Sequence, residues 1–358
     1  MKFPLLKLAP NRVRRNYRGG LLLDQLENQP HCADGNLPED WLASTTEAIN
    51  AGMPPLPNEG IGRVLVAGKT LFLRDLFREH GEYYLGRSRT QNLGFLAKLL
   101  DSGMRLQTQA HPTAAFAKER MGSPWGKLEC YVIMGIRPGF PGEIRMGFQN
   151  APSRDEWSEI IETQDFTRMD ACFEPVSVRK GDVWFVPGGL VHALGGGLLL
   201  LEVMEPSDLV VRCEFQRDGA EVPPGARYMG RDLEFCLDVF DYSSRSLEDI
   251  RAQCLLQPVP ISESGAHSEH FLLPGSRTGY FAVRRLTVRK PFLWPQGDSA
   301  RLIVVVEGQG ILACGGELLP ADFGSSFLAA ASSGPITIEP LGPDPLILCI
   351  CETTGFEA

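Results

Sequence analysis

The chain has 358 residues, enough to bury a large core without disulfide support. With 43% hydrophobic and 22% charged residues it matches ordinary globular proteins, which excludes a disordered, collagen-like or coiled-coil chain. A net charge of −9 argues against nucleic acid as a partner, because phosphate backbones recruit basic surfaces. No apolar run approaches the roughly 20 residues that span a bilayer, so no membrane partner is expected. The nine cysteines are scattered and form no C-x-x-C pair, which suits free thiols in a reducing compartment. The N-terminal apolar stretch is too short for a signal peptide, so a cytoplasmic location is expected.

Abundant glycine and proline punctuate short apolar runs, the pattern of a β-rich protein with many turns. In chain order, residues 38–50 give a weak helical pattern and residues 63–66 a strand. Leu93, Leu96, Ala97 and Leu100 fall on a helical stripe and predict a helix over 93–100. Strands follow at 129–134, 183–186, 198–204 and 209–215. Ser153 and Glu156 form a capping box and predict a helix over 153–164. Leu233, Cys236, Leu237 and Phe240 share one face of a helix over 231–240. Residues 246–275 are polar and read as a linker, which sets a domain boundary near 245–260. Beyond it the chain reads as strand and turn, with strands at 281–288, 302–306, 336–339 and 346–351.

Of six histidines, His111 and His192 stand in contexts that suggest chemistry. If residues 106–112 are a strand, Gln107, Gln109 and His111 project from one face. Lys127 and Glu129 share a face by the same parity. The run Gly181-Asp182-Val183-Trp184-Phe185-Val186-Pro187-Gly188-Gly189-Leu190-Val191-His192 has the spacing of the second sequence motif of the cupin superfamily. Its glycines and proline make a sharp turn that aims the histidine into a jelly-roll barrel. Two imidazoles facing a carboxylate make a metal site by ligand chemistry.

Taken together, Gln-x-His-Pro, then Lys-x-Glu, then Gly-x-x-His-Ala resembles the class I mannose-6-phosphate isomerase family. The resemblance implies an all-β dominated fold of two cupin jelly rolls, with helical insertions in the N-terminal half. It places a catalytic domain at 1–245 and a degenerate cupin domain at 246–358. It implies one zinc per chain on His111, Glu129 and His192, with Gln109 as a further ligand. It also implies interconversion of an aldose and a ketose, with mannose 6-phosphate and fructose 6-phosphate as the leading pair. The segment from Leu201 to Arg212 looks like the family's glutamate strand, which runs into Ser-Asp and an arginine. Glu202, Asp208 and Arg212 share parity, with Pro206 between them. Glu202 is thus a candidate proton shuttle, Asp208 a group that orients Glu202 or Arg212, and Lys127 and Arg212 cations for the enediolate or phosphate.

The sequence departs from the family in three places, one of them Arg18-Gly19-Gly20 where the family has Trp-Gly-Gly. Gln107 stands where members that use the phosphorylated sugar commonly have a serine, and Pro38-Glu39-Asp40-Trp41 keeps only the outline of a family Glu-x-Trp. An unphosphorylated sugar as substrate and a non-catalytic sugar-binding regulator are therefore the other readings. Residues 324–330 resemble the second cupin motif without its histidine, and no histidine follows His270. The C-terminal half is expected to serve packing and homodimerisation.

Overall fold

The computed structural model describes residues 2–66, 68–86 and 92–354. Two antiparallel sandwiches dominate. The first pairs a six-stranded sheet with a five-stranded one. The six-stranded sheet runs, in spatial order, Val183–Val186, Glu129–Ile136, Leu198–Met204, Leu96–Asp101, Glu39–Leu42 and Arg12–Val13. The five-stranded sheet runs Val176–Ser177, Glu143–Met146, His192–Leu194, Gln109–Ala110 and Val211–Arg212. Leu100, Ile133, Val186 and Leu200 from the first meet Ile144, Met146, Val176 and Leu194 from the second in one buried cluster.

The second sandwich pairs a nine-stranded sheet with a four-stranded sheet built from Phe292–Trp294, Ile336–Pro340, Gly310–Cys314 and Glu317–Ala321. Its core joins Leu286, Ile303, Val305 and Leu348 to Trp294, Leu312 and Ile338. The two large sheets then pack back to back. Ala97, Leu99, Val132 and Leu201 share a cluster with Val283, Leu302, Val304 and Cys351. Strands in these sheets are therefore buried on both faces. The N-terminal strand Leu5–Ala9 also joins the nine-stranded sheet, pairing with Ser326–Ala329 on one side and Arg63–Val66 on the other.

That double burial explains a misread element. The helix expected over 93–100 is the strand Leu96–Asp101, with all six residues buried. A strand covered on both sides loses its alternation, and its apolar residues then match a helical stripe by coincidence. The helix expected over 38–50 is the strand Glu39–Leu42 followed by irregular chain. The strand expected over 209–215 shrinks to Val211–Arg212. The expected linker carries the helix Leu247–Cys254, closed by a Ser246–Asp249 capping box, and the strands Val259–Glu263 and His267–Leu273.

Other elements match. The helix Arg154–Thr163 has the Ser153–Glu156 capping box, and Leu233–Leu237 is the core of the helix expected over 231–240. These helices lie outside the first sandwich, where Trp157, Ile160 and Leu237 pack with Phe148 and Phe240. All nine cysteines are free thiols, eight of them buried and Cys32 exposed.

Candidate active site

Glu129 opens the strand Glu129–Ile136, and His192 opens His192–Leu194 on the opposing sheet. His111 directly follows Gln109–Ala110, which pairs with the His192 strand. One side-chain donor atom from each of His111, Glu129 and His192 comes within 4.8 Å of the others. His111 Nε2 is 3.1 Å and His192 Nε2 3.4 Å from the Glu129 carboxylate. All three residues are 1% exposed, so their polar atoms must be satisfied inside the protein.

Backbone carbonyls set the imidazole tautomers. His111 Nδ1 donates to Leu209 O at 2.7 Å, and His192 Nδ1 donates to Leu190 O at 2.9 Å. Each ring is thus protonated at Nδ1 and turns its Nε2 lone pair inward, as a ligating histidine does. Burial pushes His111 down to about 3, which keeps it neutral. Burial alone would raise Glu129, but the positive charge of Lys127 beside it counters this, and the carboxyl lies well below the usual carboxylate range.

The structure brings the other sequence candidates to the same place, though not always in the expected contacts. Gln109 Nε2 lies 3.3 Å from His192 Nε2. Lys127 Nζ donates to Glu129 Oε1 at 2.7 Å and lies 3.2 Å from His111 Nε2. Glu202 Oε2 pairs with Lys98 at 3.1 Å, while Oε1 has no hydrogen-bond partner among the described residues. Burial and the nearby Glu129 charge raise Glu202 to about 8. Arg212 donates to Ala226 O at 2.6 Å. Asp208 orients neither Glu202 nor Arg212 through a hydrogen bond. It sits in an irregular stretch between two strands and accepts from both Nη atoms of Arg15 at 3.2 Å and from the Ile49 amide at 3.2 Å.

Gln107, Gln109, Lys127, Glu202, Asp208 and Arg212 line one small cavity of about 30 Å3, space for about one water. Gln107 is 5% exposed and its Nε2 has no partner among the described residues.

Five further polar residues line this cavity, Arg15, Tyr17, Glu39, Lys98 and Tyr131, none of which the sequence reading assigned to the site. Glu39 accepts from Arg15 Nε at 2.9 Å, Trp41 Nε1 at 2.7 Å, Lys98 Nζ at 3.1 Å and the Tyr17 hydroxyl. Lys98 bridges Glu39 to Glu202. The Glu39-x-Trp41 spacing was the available signal, since residues two apart on a strand share a face. Tyr131, two residues beyond Glu129, donates its hydroxyl to that carboxylate by the same rule.

A family model described as the mannose-6-phosphate isomerase cupin domain matches residues 275–342. The chain is 28% identical over 268 residues to the mannose-6-phosphate isomerase ManA of Bacillus subtilis, covering 73% of this chain and 76% of that protein. A mannose-6-phosphate isomerase of Streptococcus mutans is 34% identical over 140 residues, which is 39% of this chain and 42% of the relative. Among solved structures, the mannose 6-phosphate isomerase from Bacillus subtilis superposes with a TM-score of 0.74 at 21% identity, covering 98% of this chain and 99% of that one. The family model, the curated relatives and the structural neighbours all support the mannose-6-phosphate isomerase family of the cupin superfamily. A zinc-bound mannose 6-phosphate isomerase has the same fold, with a TM-score of 0.70 at 18% identity over 98% of this chain and 100% of that one. Within this family fold the His-Glu-His cluster sits between the two sheets of the N-terminal sandwich, and the C-terminal sandwich supplies none of its residues.

Proposed function

We propose that this chain is a zinc-dependent aldose–ketose isomerase that interconverts mannose 6-phosphate and fructose 6-phosphate. The observation that carries the reading is the buried His111–Glu129–His192 set, with both imidazole tautomers fixed so that Nε2 faces the carboxylate. Two neutral nitrogens and one carboxylate oxygen fit zinc with an open coordination position, and Gln109 stands close enough to add a fourth donor. When bound there, zinc supplies Lewis-acid polarisation of the sugar's oxygens.

The chain's own residues handle the proton. Isomerisation removes a proton from the carbon beside the carbonyl and returns one to the old carbonyl carbon, through an enediol. Glu202 presents a carboxylate oxygen that has no hydrogen-bond partner among the described residues and lies 4.0 Å from Lys127 Nζ, so it can accept and return that proton. Lys98 holds the other oxygen and keeps Glu202 in place. Lys127 and Arg212 bring positive charge for the enediolate and the phosphate, in a site where low dielectric magnifies it. Gln107 adds a neutral amide donor on the same wall. In this assignment residues 1–245 hold the chemistry and 246–358 are a degenerate cupin partner that supports it.

The cavity is far smaller than the roughly 300 Å3 of small-molecule sites. A hexose phosphate therefore needs more room than the cavity offers in this arrangement. The direct test is an isomerase assay on mannose 6-phosphate and on free mannose, with metal analysis of the same preparation. About one zinc per chain and turnover of the phosphorylated sugar are expected. Equal or faster turnover of free mannose points to the unphosphorylated substrate, and metal binding without turnover points to a sugar-binding regulator.

A further inference from the structure

The second sandwich repeats the strand arrangement of the first. In the catalytic barrel the central strand begins at Glu129, flanked across its ladders by Val186 and Met204. In the C-terminal barrel the corresponding strand begins at Arg301, flanked in the same way by Ala329 and Glu352. By register, Arg301 occupies the place that Glu129 holds in the metal cluster. The charge at that place is inverted, from a carboxylate that faces a cation to a guanidinium.

Arg301 is 3% exposed, a costly position for an unpaired charge. One face of its guanidinium stacks on the Trp294 ring, 3.7 Å from the centroid. Nη1 donates to Pro295 O at 2.9 Å. Nε and Nη2 have no hydrogen-bond partner among the described residues. The nearby carboxylates are taken, since Glu269 and Glu352 both pair with Arg284, at 2.7 and 2.6 Å. Burial and the neighbouring Arg284 charge lower the Arg301 guanidinium to about 10, as expected where no close carboxylate compensates it.

The two idle donors are not a random pair. Nε–H and Nη2–H form one edge of the guanidinium and point in parallel, the geometry that grips two oxygens of a carboxylate or phosphate. Beside this edge lies Gly297, in an exposed loop. A Cβ there would stand 3.3 Å from Nε and crowd it. Glycine at this position leaves the Nε side of the edge free of a side chain from residue 297.

We propose that the C-terminal barrel holds a second ligand site, centred on Arg301 and Trp294, that binds a small oxyanion through the Nε–Nη2 edge. Its ligand offers two neighbouring oxygens, as a carboxylate or a phosphate monoester does. The site is separate from the catalytic cavity and does not depend on the activity assigned to it.

The test titrates the full chain calorimetrically with inorganic phosphate and, separately, with acetate. Arg212→Ala serves as background, so that the catalytic cavity loses its own anion contact. One binding event per chain is expected for at least one of the two anions, and which of them binds identifies the ligand class. Adding Arg301→Met should weaken that event at least tenfold. The same substitution should leave the melting temperature in anion-free buffer unchanged or raised, because an apolar stem replaces an unpaired buried charge. Arg301→Lys keeps the charge without the two-donor edge, so it should also weaken binding and serves if Arg301→Met does not fold. Absence of binding by both anions, or unchanged affinity in the Arg301 variants, overturns the proposal.

Discussion

Glu39 offers the sharpest test of how the pocket wall is held together. Its carboxylate is 3% exposed and accepts from four donors, two of them cationic. Glu39→Gln keeps the shape but replaces one acceptor oxygen with a donor NH2. Whichever way the amide turns, it faces either Lys98 and Tyr17 or Arg15 and Trp41, donor against donor. Breaking a buried ion pair from one side typically costs about 3–5 kcal/mol. Here Arg15 keeps Asp208 and Lys98 keeps Glu202, so the low end applies, about 3 kcal/mol. At about 2 cal/mol/K per residue, unfolding this chain carries an entropy near 0.75 kcal/mol/K, so the melting temperature should drop by about 4 °C.

The pH dependence adds a second check. Burial opposes ionisation of Glu39, but Arg15 and Lys98 overcome it and hold the carboxyl far below its ordinary range. A carboxyl lowered on folding stabilises fully above its unfolded pKa, and the contribution is lost as pH falls toward the folded value. The gap between wild type and Glu39→Gln in scanning calorimetry should therefore be constant from pH 6 to 8 and close below about pH 4.5. A gap under about 1 °C at pH 7, or one that widens in acid, would refute a charged cluster holding this wall.

Three further outcomes follow from the same geometry. Arg212→Ala should lower kcat/KM by orders of magnitude while shifting stability by no more than about 1 kcal/mol, since among the described residues its one side-chain hydrogen bond goes to a backbone carbonyl; a large loss of stability with intact specific activity would mark a structural role. Gln107→Ser should sharpen the preference for mannose 6-phosphate over mannose in kcat/KM, because the shorter side chain vacates room at the anion end; an unchanged ratio would remove Gln107 from substrate selection. Burial raises Asp40 to about 6, so its ionised form costs folding energy. Asp40→Asn, which keeps an acceptor for the Asn11 amide, should stabilise the chain by roughly 1–3 kcal/mol at pH 8, with the gain vanishing below about pH 4 in denaturant titrations.

Much of the site was legible because its signals are local. The Gly-rich turn before His192 and the two-residue spacing of Lys127 and Glu129 need only strand parity. Four strands of the second half, Phe281–Val288, Arg301–Glu307, Ile336–Pro340 and Leu346–Thr353, were equally plain as short apolar runs, while the more polar Val259–Glu263 and His267–Leu273 were read as linker. What stayed hidden depends on contacts between distant segments. Lys98 falls inside the helix expected over 93–100 and was assigned no role, since nothing local reveals that Leu96–Asp101 is sandwiched between two sheets. Arg15 belongs to none of the motifs, and only the fold carries it to Asp208, 193 residues away. Asp208 shows the same limit from the other side. It lines the same cavity as Glu202 and Arg212 although the expected strand is broken around it, and its partner comes from another part of the chain.

The strand Leu5–Ala9 lies between Arg63–Val66, which follows it closely, and Ser326–Ala329, which is nearly the whole chain away. On the ribosome the first of these neighbours emerges within seconds, while the second waits for roughly 15–60 s of further synthesis. Throughout that time Leu5 and Leu6, which end up 4% and 3% exposed, have no seat, and one edge of the nascent ladder stays open. The nine-stranded sheet therefore cannot close during translation, and the N-terminal segment is a natural client for a holding chaperone. A circular permutation that brings the first strand next to Ser326–Ala329 in sequence would remove the wait, at the expense of cutting the link to Arg63–Val66.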